Sequence, residues 1–263
     1  MAFSELSRPW RARGHSNPRG GLLLCHGFTG SPQSLRPWAE HHAALGWEVE
    51  LPLLPGHART EQDLAASTWQ DWYGTAREAA LSLAAEHGPI AVGGLSMGGN
   101  LALALAEDVE LTDAIAAVVA VNPGMTVPRL ALAADLIAPV VPLLPGIGSD
   151  IARPGVAEEA YAKMPVRAVG QLRRLFRRTR QGLGQVEVPL LLATSRTDHT
   201  VPPSDSDLVA ARVRGSVQRL SLARSHHLAT LDHDAPLLFE ASASFLDAHV
   251  PGADAGHHPR SGS

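Results

Sequence analysis

The chain has 263 residues, of which 45% are hydrophobic and 18% charged, and a net charge of −4. That balance fills a core, excludes extended disorder and gives nucleic acid no electrostatic foothold. A single cysteine, Cys25, excludes an intrachain disulfide and any CxxC metal or redox motif, and its place in the run 22–25 reads as a small buried hydrophobe.

The first 15 residues are polar and carry no secretory apolar region. The longest apolar stretch, around 130–147, is broken by Asp135, Pro139, Pro142 and Pro145, so it is no membrane span. We therefore expect a cytoplasmic protein without stable membrane insertion. Short apolar runs then alternate with longer amphipathic ones. Residues 22–28 read as a strand, 34–45 as a helix stopped by Gly46, and 48–55 as a strand. Residues 69–87 read as a helix stopped by Gly88, 89–96 as a strand, 97–108 as a helix and 114–123 as a strand. Further on, 188–195 and 217–223 read as strands, followed by helices at 205–213 and 235–249. The near-continuous Val, Leu and Ile of these strands suits burial on both faces, as in a parallel sheet. Strand–helix alternation predicts an α/β fold, a mostly parallel doubly wound sheet with helices on both sides.

Between 123 and 188 lie about sixty residues without a strand signal, too many for a structureless loop. Apolar and helical content at 127–144, 155–161 and 166–180 predicts a small helical cap insertion at about 124–187, packed over one end of the sheet. The chain 1–263 thus reads as a single domain, with a Gly-, His-, Pro- and Ser-rich tail at 252–263 expected to be mobile.

Gly94-Leu95-Ser96-Met97-Gly98 matches G-x-S-x-G. A plain glycine-rich turn with a capping serine would look the same over five residues; the strand before and the helix after give the match its weight. A serine on such a turn projects its hydroxyl, and the helix N-terminus beside it favours developing negative charge. An attacked carbonyl also needs N–H donors for its oxyanion, each worth about 3 kcal/mol in the transition state. In the α/β-hydrolase fold one comes from the residue after the nucleophile, here Met97, and one from the loop after an early strand, here Phe28 within His26-Gly27-Phe28-Thr29-Gly30.

The same fold orders its triad Ser, acid, His. Asp198 lies just past the 188–195 strand, whereas Asp205 and Asp207 fall where a helix begins and read as N-terminal charges. His226 and His227 both follow the last strand, and spacing alone does not choose between them. His41, His42 and His87 read as solvated helix positions.

With these residues in order, the chain resembles bacterial monoacylglycerol lipases and the closely related small carboxylesterases. The resemblance covers most of the chain: HGFTGSP at 26–32, GLSMGG at 94–99, DHTVPP at 198–203 and SHHLATLD at 225–232. It implies His227 as the catalytic histidine beside Ser96 and Asp198, with Phe28 and Met97 as oxyanion donors. Residues 146–158 and 160–165 resemble the monoacylglycerol lipase cap. That implies Glu158 facing the alcohol side of the pocket and Ile147 at its narrow part, while Glu159 stands where an apolar residue is more usual.

Leu130, Leu132, Ile137, Val140, Val141, Leu143 and Leu144 would then cover an acyl chain, and Glu158 would accept hydroxyl hydrogens from a glycerol headgroup. The arginine run at 173–180 reads first as a solvated face and second as a transient contact with anionic lipid surfaces. We expect a serine hydrolase cleaving acyl esters, foremost monoacylglycerols, through an acyl-Ser96 intermediate and without metal or organic cofactor. A broad carboxylesterase, or a thioesterase or acyltransferase on the same fold, is the alternative.

Overall fold

Period-two alternation in the apolar runs feeds two cores, one on each face of a central sheet. In the second strand Leu23 and Cys25 enter one core, and Leu22 and Leu24 enter the other. A computed structural model describes residues 3–127 and 134–250 of the chain. The sheet contains β1 (Trp10–Ala12), β2 (Gly21–Cys25), β3 (Glu48–Leu51), β4 (Ile90–Leu95), β5 (Ile115–Val121), β8 (Leu190–Ser195) and β9 (Val217–Leu222). Its order is β1-β3-β2-β4-β5-β8-β9, with β1 antiparallel to β3 and every other pairing parallel.

Helices α1 (Arg36–Ala44) and α8 (Ala235–His249) cover one face. The other is covered by α3 (Trp69–His87) and α4 (Met97–Ala106), with α7 (Ser204–Arg212) beside β8. The shorter α2 (Glu61–Ala66) and α3 both open with a capping box, Thr60 with Asp63 and Thr68 with Asp71. Chain order runs from β2 to β3 on one side, then returns to place β4 on the other. The crevice outside the C-terminal ends of β2 and β4 is therefore the switch point at which ligands bind open α/β sheets.

The expected doubly wound sheet is present, and three expectations are corrected. The edge strand β1 and the helix α2 lie outside every expected element. The region between β5 and β8, expected to be helical and without strands, contains α5 (Ala134–Ile137), an antiparallel hairpin of β6 (Leu143–Pro145) and β7 (Lys163–Pro165), and α6 (Val166–Gly182). Three-residue strands punctuated by Pro142, Pro145 and Pro165 carry no periodicity that distinguishes them from a broken helix. Residues 155–161 form no helix.

The third correction concerns His42, which is fully buried. Its Nε2 meets the Trp38 indole N–H (3.1 Å) and the Ser242 hydroxyl (3.0 Å) beneath α8, and burial lowers its pKa to about 3. Cys25 is buried too, its thiol pushed up to about 12. The tail at 252–263 and the residues Leu130 and Leu132 lie outside the described residues. No helix among the described residues is long and apolar enough to cross a membrane.

Candidate active site

Ser96 sits between β4 and α4 at φ 55° and ψ −120°, a left-handed conformation that costs a residue with a Cβ on the order of 1 kcal/mol or more. Its neighbours make that turn possible. A Cβ on Gly98 would lie 1.8 Å from the Cys25 carbonyl oxygen, and one on Gly94 would lie 2.3 Å from the Gly98 carbonyl carbon. Both glycines are thus required where the end of β2 crosses the start of α4. The Ser96 N–H donates to the Val121 carbonyl (2.8 Å), which fixes the turn to the end of β5.

The structure brings Asp198 and His227 together. His227 Nδ1 lies 2.7 Å from Asp198 Oδ2, and both side chains are almost fully buried. Asp198 Oδ1 accepts the N–H groups of Thr200 (2.8 Å) and Val201 (2.7 Å), which aim the carboxylate. Ser96 and His227 line one cavity, with no hydrogen bond between them. Such bonds often tighten only with substrate. His226, the adjacent candidate, pairs instead with Asp150, its Nδ1 3.2 Å from Asp150 Oδ1.

The N–H groups of Phe28 and Met97 have no partner among the described residues, while Phe28 and Ser96 share the cavity wall. His26 holds the Phe28 loop in place. Its Nε2 accepts the Leu54 N–H (3.1 Å), so Nδ1 carries the proton and donates to the Gly27 carbonyl (2.9 Å). Burial lowers its pKa to about 4, keeping the ring neutral. Behind it, Phe28 packs against His57 and Trp72 at ring-centroid distances of 6.2 and 5.9 Å.

Three further residues position this site and escape the sequence reading. Asn122, at φ 45° on the end of β5, donates Nδ2 to the His227 carbonyl (2.8 Å) and accepts the Ser195 N–H on Oδ1 (2.8 Å). Asp150 accepts the N–H groups of His227 (3.2 Å) and His199 (2.9 Å). Asp232 accepts those of His226 (2.8 Å), Ala152 (2.7 Å) and Arg153 (2.9 Å). Burial opposes ionisation of both, but the His199 ring on Asp150 together with these backbone bonds, and the backbone bonds on Asp232, hold the two carboxyls below the usual carboxylate range. Asn122-Pro123 after an apolar strand and Asp232 at the end of the SHHLATLD run are the local signals, neither of which assigns a role; Asp150 lies in a loop where carboxylates are common. Asp205 does more than charge the start of α7: its carboxylate accepts the Met125 (2.7 Å) and Thr126 (2.9 Å) N–H groups.

The cavity measures about 390 Å³, within the usual range for small-molecule sites. Ile137, Leu144, Ile147, Met164, Val169 and Phe176 give it an apolar wall. Val140, Val141 and Leu143, expected to line it, are instead exposed and outside its wall. Glu158 is in the wall, pressed against Gly30 so closely that a Cβ there would meet Oε1 at 2.3 Å. Burial pushes its pKa to about 8, against a smaller opposing effect from Ser34. Glu159 turns the other way, and its Oε2 accepts the Ser4 N–H (2.8 Å) and the Ser7 hydroxyl (2.7 Å). Gln33 holds the pair in place by accepting the Glu159 N–H (3.1 Å) and donating to the Ala157 carbonyl (3.3 Å). The arginine run is not simply a solvated face, because Arg178 pairs at 2.6 Å with the buried Glu107.

A serine on a strained βα turn, a His–Asp pair and two unpartnered N–H groups at the switch point define the α/β-hydrolase fold. Known proteins agree. The profile of the family described as serine aminopeptidase, S33 matches residues 16–234, and the chain belongs to that family. It is 37% identical over 231 residues, 88% of this chain and 91% of the other, to a thermostable monoacylglycerol lipase from Bacillus sp. strain H-257. A carboxylesterase of Bacillus subtilis strain 168 is 22% identical over 86% of this chain and 92% of its own. Among solved structures, one from a study of two metagenome-derived lipolytic enzymes superposes with a TM-score of 0.88 at 35% identity, covering 93% of this chain and 99% of the other. The expected resemblance to monoacylglycerol lipases and the expected fold are therefore both borne out.

Proposed function

We propose that the protein is a carboxylic ester hydrolase that cleaves monoacylglycerols to fatty acid and glycerol through an acyl-Ser96 intermediate. The observation that carries the reading is the buried 2.7 Å His227–Asp198 bond, with His227 lining the same cavity as the strained Ser96. Asp198 keeps the proton on His227 Nδ1, leaving Nε2 free to take the Ser96 hydroxyl proton as Oγ attacks the ester carbonyl carbon. The Phe28 and Met97 N–H groups receive the oxyanion. Collapse expels glycerol with the proton returned from His227, and water repeats the cycle on the acyl-enzyme.

The apolar wall suits the acyl chain, and Glu158 suits the headgroup. With its pKa near 8 the carboxyl is neutral at pH 7, so it both donates and accepts a hydrogen bond with glycerol hydroxyls. Ile147, part of that apolar wall, suits contact with the acyl chain. The residues at about 124–187 act as a cap on a single catalytic domain. We place the enzyme in the cytoplasm, in keeping with its one buried free cysteine. The exposed Leu136 and Val140 of the cap suit transient contact with lipid surfaces.

The test is kcat/KM for 1-monolauroylglycerol, dilaurin, a p-nitrophenyl ester, lauroyl-CoA and an aminoacyl arylamide, with Ser96→Ala in parallel. Preference for the monoacylglycerol, abolished in the variant, is the expected result. Equal rates on all esters would reduce the assignment to a broad carboxylesterase. Dominant thioester or arylamide turnover would overturn it.

A further inference from the structure

Asp150, His199 and His226 reach one point from three separate segments. Asp150 lies between β6 and β7, His199 follows β8, and His226 follows β9. Both imidazole Nδ1 atoms address the same carboxylate oxygen, Asp150 Oδ1, at 2.8 Å from His199 and 3.2 Å from His226. The two rings stand at 89° with centroids 4.6 Å apart, so their nitrogens converge instead of stacking. One ligand atom from each residue lies within 4.8 Å of the other two. Tetrahedral coordination with metal–ligand bonds of about 2.0–2.1 Å separates its ligand atoms by about 3.3 Å, so this spacing needs only small side-chain adjustments. His199 is exposed and Asp150 is part of the cavity wall, which leaves the point open to solvent.

We propose that Asp150, His199 and His226 form a binding site for a zinc-class divalent transition-metal ion, and that its occupancy restrains ester turnover. Two imidazoles and one carboxylate favour Zn²⁺, Ni²⁺ or Cu²⁺ over Mg²⁺ or Ca²⁺, which prefer oxygen ligands alone, and three protein ligands leave a fourth position for water. Each ring binds through Nδ1 as the neutral tautomer with its proton on Nε2. The ion would join the segment carrying Asp150 to the two loops that bear Asp198 and His227, one residue from each in the chain. It would also draw on the carboxylate that accepts the His227 N–H. The catalytic cycle itself needs no metal. Binding stands apart from the proposed ester hydrolysis; the restraint on turnover rests on it.

The experiment uses chelator-treated full-length protein titrated with ZnCl₂ by calorimetry, with thermal melts and p-nitrophenyl ester turnover on the same samples. The variants are His226→Gln, His199→Gln and a His257→Gln/His258→Gln double variant, which removes the paired tail histidines as a competing site. The expected result is one Zn²⁺ per chain and a melting point raised on the order of 5 °C at about 100 Kd. Turnover falls several-fold and recovers with EDTA. Affinity falls at least tenfold in His226→Gln and His199→Gln, while the tail variant binds as wild type. Unchanged affinity in both single variants, or binding lost only with the tail histidines, overturns the site. Binding at the site with unchanged turnover overturns the restraint. Absence of ester turnover at every metal concentration counts against the proposed hydrolase and leaves the binding result standing.

Discussion

The Asn122 side-chain amide donates to the His227 carbonyl at 2.8 Å, while its Oδ1 accepts the Ser195 N–H at 2.8 Å. One side chain thus ties the end of β5 to the end of β8 and to the histidine loop. Every backbone polar group of His226 and His227 is held: the two N–H groups by Asp232 and Asp150, the two carbonyls by Ser195 and Asn122. The Asp198–His227 geometry is therefore set by a frame of buried hydrogen bonds as much as by the pair itself.

Removing that frame at one point gives a first prediction. Asn122→Ala leaves the His227 carbonyl and the Ser195 N–H without partners at a buried place and keeps a Cβ at φ 45°. A loss of about 1–3 kcal/mol of stability follows, with kcat down about tenfold and KM little changed. Asn122→Gly relieves the backbone without restoring the bonds. A melting point that recovers in the glycine variant while kcat stays low separates the positioning role from the fold; full recovery of kcat would refute it.

The triad assignment predicts a second pattern. Asp198→Asn leaves hydrogen-bond capacity but no longer favours the proton on His227 Nδ1, and kcat should fall about 10⁴-fold. Ser96→Ala should fall at least as far and should lose labelling by a fluorophosphonate. The Asp198→Asn/Ser96→Ala double variant should be no worse than the more damaged single one, because the groups act as a unit. Additive losses in steady-state rates would show that they do not.

Glu158 carries a third prediction, through pH. Its folded pKa of about 8 stands above the usual carboxylate value of 4.5. The folded state therefore keeps a proton on Glu158 that the unfolded chain sheds near pH 4.5. Stability falls as pH rises from about 5 to about 8 and levels off above that. Glu107, also raised to about 8 by burial, adds to the same window, so the informative quantity is the difference between wild type and Glu158→Gln. The variant should show a shallower loss of melting point over that range. Its KM for monoacylglycerol should stay flat above pH 8, where the wild-type KM changes as the neutral donor is lost. The KM for a p-nitrophenyl ester, which lacks the glycerol hydroxyls, should be the same in both.

Much of this was legible because the central strands are buried on both faces. β2, β4 and β5 read as unbroken apolar runs, and the turn after β4 needs glycines at 94 and 98 that only a close crossing explains. Strand order brings the ends of β2, β4, β8 and β9 to one edge, so residues there converge whatever their spacing in the chain. Asn122 and Asp150 were not legible because their backbone partners at His227 lie 105 and 77 residues away, and no local pattern records such a partner; Asp232 has one partner six residues away at His226, but its bond to Ala152 spans 80 residues. The burial of His42 escaped for a related reason: its partner Ser242 lies 200 residues further along. The Asp150–His199–His226 cluster joins segments whose proximity only the folded sheet creates.

Two glycines close to the site separate packing from recognition. At Gly98 an added Cβ meets backbone, the Cys25 carbonyl at 1.8 Å and the His26 carbonyl at 2.8 Å. Neither can retreat without moving β2, so Gly98→Ala should unfold the nucleophile turn, cost several degrees in melting point and abolish turnover of every ester. At Gly30 the obstacle is the far end of a side chain, Glu158 Oε1 at 2.3 Å. Gly30→Ala should therefore fold with little loss of stability, swing the Glu158 carboxyl aside and raise the KM for monoacylglycerol several-fold. Hydrolysis of a p-nitrophenyl ester should continue at close to the wild-type rate. In the Glu158→Gln background Gly30→Ala should have a smaller further effect on that KM, since both changes act on one contact; equal effects in both backgrounds would place the headgroup elsewhere in the cavity.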